Sequence, residues 1–163
     1  MRTTETKLYQ FNELSPEAQD KAIARLWDLN VDHEWWDSTY EDAARVGIKI
    51  THFDLGRRHE IGILLTDSLE TVCMSILAEH GKKCDTYQTA KDFLSAWDAL
   101  PVDDDGEQDR YALEDLESEF CRAIGEDYLS ILSKEHGYLT SREVIVETIE
   151  ANEYEFTEDG RLA

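Results

Sequence analysis

Lysine and arginine are scarce in this 163-residue sequence: 16 of them stand against 37 aspartates and glutamates, a net charge of -21. A deficit of that size argues against direct binding to DNA, RNA or an anionic membrane through a basic surface. Cysteine is sparse too. Cys73, Cys84 and Cys121 are odd in number and show no paired spacing, so neither a disulfide framework nor a zinc motif is expected, and a reducing cytoplasm fits. No apolar run approaches the roughly 20 residues of a membrane span, and the first seven residues lack the apolar core of a signal peptide. A Gly-rich phosphate loop, a nucleophile elbow and a Cys-x-x-Cys pair are also missing, so the sequence assigns no catalytic residue, no metal ligand and no cofactor.

Apolar material is plentiful: 41% of residues are hydrophobic and 10% aromatic, with four Trp and seven Tyr. That is too much for a disordered acidic tail. Residues 1–163 are read as a single domain, of α+β class: mainly helical, with a small antiparallel sheet of three or four strands, including strands from both chain ends.

Local signals place the elements. A strand is expected over 7–11. Ser15 as N-cap with Pro16 at the first helical position starts a helix whose stripe is Ala18, Ala22, Leu26 and Leu29. A second helix is expected over 33–46 and ended by Gly47. Alternation over 48–55 and the apolar run 61–65, with Gly56–His59 between them, predict a hairpin; Lys49, Thr51 and Phe53 should share one face of it. Helices capped near Ser68 and Thr86 follow, the first closed by Gly81. A long helix over 108–136 is expected to bend at Gly125 and to end at Gly137. Thr140 and Glu143 form a capping box for one more helix, and a last strand covers 154–157. The similar endings Glu79-His80-Gly81 and Glu135-His136-Gly137 are read as repeated helix-end chemistry, with Gly in the left-handed position.

Three spacings bear on possible sites. His33, Glu34 and Asp37 stand near a metalloenzyme helix motif, with Asp replacing the second His. Val102–Gly106 falls short of a calcium loop. His52 and Asp54 alternate on one strand, without an assignable nucleophile.

The charge itself is the strongest signal, and it is uneven. Residues 1–83 hold 15 acids and 10 bases, whereas 84–163 hold 22 acids and 6 bases. Asp103, Asp104, Asp105, Glu107, Asp109, Glu114, Asp115, Glu117 and Glu119 fall within 17 residues, opposed only by Arg110. If mostly helical, the stretch is about 25 Å long, one charge per about 2.8 Å, against one per roughly 1.7 Å along duplex DNA. These nine residues, with Trp35 as an aromatic anchor, are the candidate partner-binding residues. The expected partner is a protein with a basic, nucleic-acid-binding surface; the sequence assigns no oligomeric state.

Three further stretches carry a resemblance: 8–15 (Leu-Tyr-Gln-Phe-Asn-Glu-Leu-Ser), 30–37 (Asn-Val-Asp-His-Glu-Trp-Trp-Asp) with 40–43 (Tyr-Glu-Asp-Ala), and 148–160. Together they resemble a family of small acidic phage and prophage proteins, sometimes labelled antitoxin. The resemblance implies a mobile-element protein that blunts a host defence system by binding, an anti-CRISPR or anti-restriction inhibitor, and it supplies no catalytic residue. An antitoxin-like or regulatory module using the aromatic first half is the alternative; a metal-dependent enzyme built on His33, Glu34 and Asp37 is the second.

Overall fold

The computed structural model describes residues Met1–Ala163. It is mixed α/β and 53% helical, with six helices and two antiparallel sheets of two strands each. The chain divides into two compact units, Met1–Trp35 with Lys134–Ala163, and Trp36–Ser133.

In the first unit, strand β1 (Tyr9–Gln10) pairs antiparallel with β4 (Glu155–Phe156), Tyr9 opposite Phe156. A strand from each chain end thus meets, as expected. The predicted first strand is shorter than 7–11 because Phe11–Glu13 turns into a 3-10 helix, fixed by the Glu13 carboxylate accepting from Gln10 N at 2.7 Å. Helix α1 (Pro16–Arg25) begins as read: Ser15 Oγ accepts from Ala18 N at 3.2 Å, and Pro16 occupies the first turn. Leu26 and Leu29 fall beyond its end. The core gathers Phe11, Leu14, Ala18, Ala22, Ile145, Ile149 and Phe156, with Phe11 and Phe156 edge to face at 6.2 Å.

Helix α6 (Arg142–Ala151) is capped by Ser141, whose Oγ accepts from Val144 N. The expected Thr140 cap is corrected: the Thr140 hydroxyl donates instead to His136 O at 2.8 Å, so it is engaged with the preceding helix.

In the second unit, α2 (Asp37–Arg45) is shorter than the expected 33–46. Gly47 ends it, at φ +85°. Strands β2 (Ile48–Asp54) and β3 (Glu60–Leu65) form the expected hairpin. Its register shifts between Ile50 and His52, and this irregularity reverses the alternation beyond it. Phe53 therefore leaves the exposed face expected for Lys49 and Thr51 and packs on Trp36 at 5.7 Å and Tyr40 at 6.1 Å. The β1-β4 pair and the β2-β3 hairpin are two distinct sheets, so the expected single sheet of three or four strands does not form.

Helix α3 (Leu69–Glu79) is capped by Ser68 and buries Leu69, Val72, Cys73 and Ile76. Helix α4 (Asp85–Asp98) follows, and α5 (Arg110–Leu139) is the longest element. The core adds Ile48, Ile50, Ala90, Leu116, Phe120, Ile124 and Tyr128. Gly125 is buried against β3: a Cβ there would lie 3.1 Å from Ile61 Cγ2 and 3.2 Å from Ile63 Cγ1. Neither Gly81 nor Gly137 adopts a left-handed conformation, and α5 runs through Gly137 to Leu139. The repeated His-Gly endings are therefore not a shared stop. His80 itself caps α3, in an extended conformation.

Candidate functional site

The acidic run is built in two parts. From Asp103 to Asp109 it is not helical: a bridge between Val102 and Gln108 closes a tight turn, with Gly106 at φ +81°. The turn follows from its own side chains. Asp103 Oδ1 accepts from Asp105 N at 3.0 Å and Glu107 N at 2.9 Å, and Asp109 Oδ1 accepts from Tyr111 N at 2.9 Å to start α5. The helix expected from 108 starts at Arg110, so the acidic run is a compact turn bearing five carboxylates followed by a helical portion, Arg110 to Glu119, of about 15 Å.

On that helical portion Glu114 and Glu117 are three residues apart and share one flank, while Asp115 and Glu119 are one turn apart on another, with Glu117 and Glu119 separated by roughly 200° around the axis. Eight of the nine carboxylate residues are exposed and Glu117 is half-buried. Arg110 bonds Glu114 at 3.1 Å; no other ion pair touches the nine. The charge is displayed with almost no neutralisation. Tyr111, 80% exposed, stands in its midst.

Glu114 and Glu117 have a further neighbourhood. They line a groove of about 590 Å³ together with Asp67, Ser118, Cys121 and residues Ile63, Leu64 and Leu65 of β3. Burial and then the Glu117 carboxylate hold the Cys121 thiol above its ordinary pKa, so it stays protonated and unreactive near neutrality.

Trp35 belongs to the first unit, whereas the acidic segment belongs to the second. It is half-buried, with its ring 5.4 Å from that of His136. Trp27, at 54% exposure, presents more free aromatic surface in the same unit. His33, Glu34 and Asp37 do not form a ligand set. Residue 33 lies before α2, so the one-turn spacing that would align it with Asp37 is not helical, and nowhere in the chain are three His, Cys, Asp or Glu side chains placed to hold a metal ion. His33 sits instead 3.5 Å from Asp32.

The sequence reading missed one polar cluster, in the second unit. Asp42 of α2 accepts from Tyr128 OH at 3.1 Å, and the same oxygen lies 3.1 Å from His80 Nε2, off the line of an aligned hydrogen bond. His80 Nδ1 is 2.6 Å from Thr86 Oγ1. Burial, then the charge of Asp42, holds the Tyr128 hydroxyl protonated well above its usual range. The order carboxylate, imidazole, hydroxyl is that of a nucleophile relay. Thr86 is only 2% exposed, however, so its oxygen is closed to a substrate. The cluster joins α2, α4 and α5 around the end of α3. Nearby, Thr89 of α4 donates to Asp127 of α5 at 2.5 Å. The only local hint in sequence was His80 at a helix end; its partners are far away along the chain.

No family model, curated protein or solved structure matches the chain. No helix is long and apolar enough to cross a membrane.

Proposed function

We propose that this chain is a binding protein that blocks a partner by covering a basic, nucleic-acid-binding surface with its acidic segment 103–119. The observation that carries this reading is the display of nine carboxylates around one turn and the start of one helix, of which Glu114 alone is ion-paired, to Arg110. A field of that sign steers a cationic surface into contact and competes with phosphates for it. Taken with the resemblance to small phage and prophage proteins, the partner is a nucleic-acid-binding protein of a host defence system, and the chain acts in the host cytoplasm without catalysis.

The reading is tested with immobilised wild-type chain and a variant carrying Asp103→Lys, Asp104→Lys, Asp105→Lys and Glu107→Lys, each challenged with host lysate at 50 and 500 mM salt. The expected result is a nucleic-acid-binding protein held at low salt by the wild type alone, released by added DNA or RNA and at high salt. Equal retention by both chains removes the acidic segment from the interaction. A regulatory module using the first unit finds support in the exposure of Trp27; there, Trp27→Ala would abolish retention and the charge reversals would not.

A further inference from the structure

β3 has one strand neighbour, β2, and no other backbone group in the chain bonds to Glu60–Leu65. Its outer edge therefore presents unpaired N–H and C=O groups. Three consecutive residues of β3, Ile63, Leu64 and Leu65, line the 590 Å³ groove. Successive side chains of a strand point to opposite faces, so three in a row on one groove mean that it runs along the edge of the strand rather than over a face. The opposite wall is the flank of α5 bearing Glu114 and Glu117, and Asp67 stands at the strand's end. No Lys or Arg lines the groove, and Asp67 and Glu117 have no ion pair. Leu64, at 56% exposure, adds an apolar contact.

We propose that this groove takes an extended cationic segment of a partner protein as a third strand on β3, with its backbone bonded to the open edge and its Lys or Arg side chains against Asp67, Glu114 and Glu117. Main-chain bonds supply affinity in such strand addition, and alternate side chains supply selectivity. Charge decides the occupant. A second copy of this chain would bring the same three carboxylates and a net charge of -21 to the contact; a basic strand brings the complement. The inference rests on the acidic-surface reading and says where on that surface the partner's chain lies.

The test uses a nine-residue peptide alternating Arg and Val, titrated into the isotope-labelled full chain and followed by amide NMR. Two N-methylated forms, each blocking one of the two alternating sets of amides, and a Glu-for-Arg peptide complete the set. Shifts should centre on 61–67 and 114–121. One N-methylated form should bind at least tenfold more weakly than the other, because only one set of amides faces β3, and the Glu peptide should not bind. Asp67→Lys with Glu117→Lys should weaken the parent peptide at least tenfold, and Asp103→Lys, Asp104→Lys and Asp105→Lys less than threefold, although the latter change more charge. Equal affinity of the two N-methylated forms, or shifts located elsewhere, overturns the strand-addition proposal, as does self-association through β3 without peptide. If the turn variant loses binding and the groove variant keeps it, the acidic surface stands and the groove falls. If neither variant changes binding, both fall.

Discussion

Substituting Gly125 tests whether α5 is there to bend or to touch. A glycine inside a helix costs about 1 kcal/mol relative to alanine, so with open space around it Gly125→Ala would stabilise the protein by that amount and Gly125→Val by a few tenths. The structure leaves no such space. The added Cβ would stand 3.1 Å from Ile61 Cγ2 and 3.2 Å from Ile63 Cγ1, several tenths of an ångström inside a comfortable carbon–carbon separation. Forcing atoms into a packed core typically costs about 1–3 kcal/mol. Taking about 2 for the first methyl, the net expectation is a loss of about 1 kcal/mol for Gly125→Ala. Two further methyl groups against the same strand bring the loss for Gly125→Val to about 3 kcal/mol. Ile63→Ala removes the Cγ1 that is struck; alone it costs about 2–4 kcal/mol by leaving a cavity. Combined with Gly125→Val, the two losses should fall short of additivity by about 1 kcal/mol or more. Urea unfolding followed by far-ultraviolet ellipticity, compared at unchanged slope, measures all three. A Gly125→Ala protein more stable than the parent by a full kcal/mol, with Gly125→Val no worse than the parent, would refute the close-contact account.

Two other outcomes follow from the packing of single residues. Burial pushes the Cys73 thiol up from about 9 to about 12, so its contribution to stability is complete below pH 9 and is lost as pH rises from 9 toward 12. Stability should fall by about 1 kcal/mol between pH 8 and pH 10 from this group, with Cys121 acting in the same direction, and Cys73→Ala should flatten that fall while lowering the baseline; an unchanged slope in the variant contradicts the assignment. Gly160 sits at φ +81°, and a Cβ on it would overlap the carbonyl oxygen of Ala18 in α1. Gly160→Ala should therefore cost about 2–3 kcal/mol in chemical denaturation, against under about 0.5 kcal/mol for the exposed Glu158→Ala.

Features decided by adjacent residues were legible. Ser15 and Pro16 start α1 because a hydroxyl acceptor and a missing N–H suit a helix end whatever lies around it. Gly47 stops α2 because the left-handed conformation there admits little else. Where two local solutions compete, adjacent residues do not decide between them. Thr140 and Ser141 are both caps by chemistry, and the contest was settled when Thr140 found His136 O within reach. The phase of β2 past Ile50 is not legible locally, since a register shift leaves no mark in an alternating pattern but moves Phe53 across the sheet. The acidic run was visible as composition; its division into a closed turn and a helical portion came from Asp103 and Asp109 binding backbone N–H groups that a continuous helix would have used itself.

The sequence alone determined the charge, the class of elements and most of their ends, because these depend on residues within about four positions of one another. Only the tertiary structure set His80 and Tyr128 around the Asp42 carboxylate, placed Gly125 under β3, and brought Glu114, Glu117 and Asp67 onto one groove beside an open strand edge. Those meetings join residues dozens of positions apart, and they depend on how the hairpin and helices pack, which no local pattern encodes.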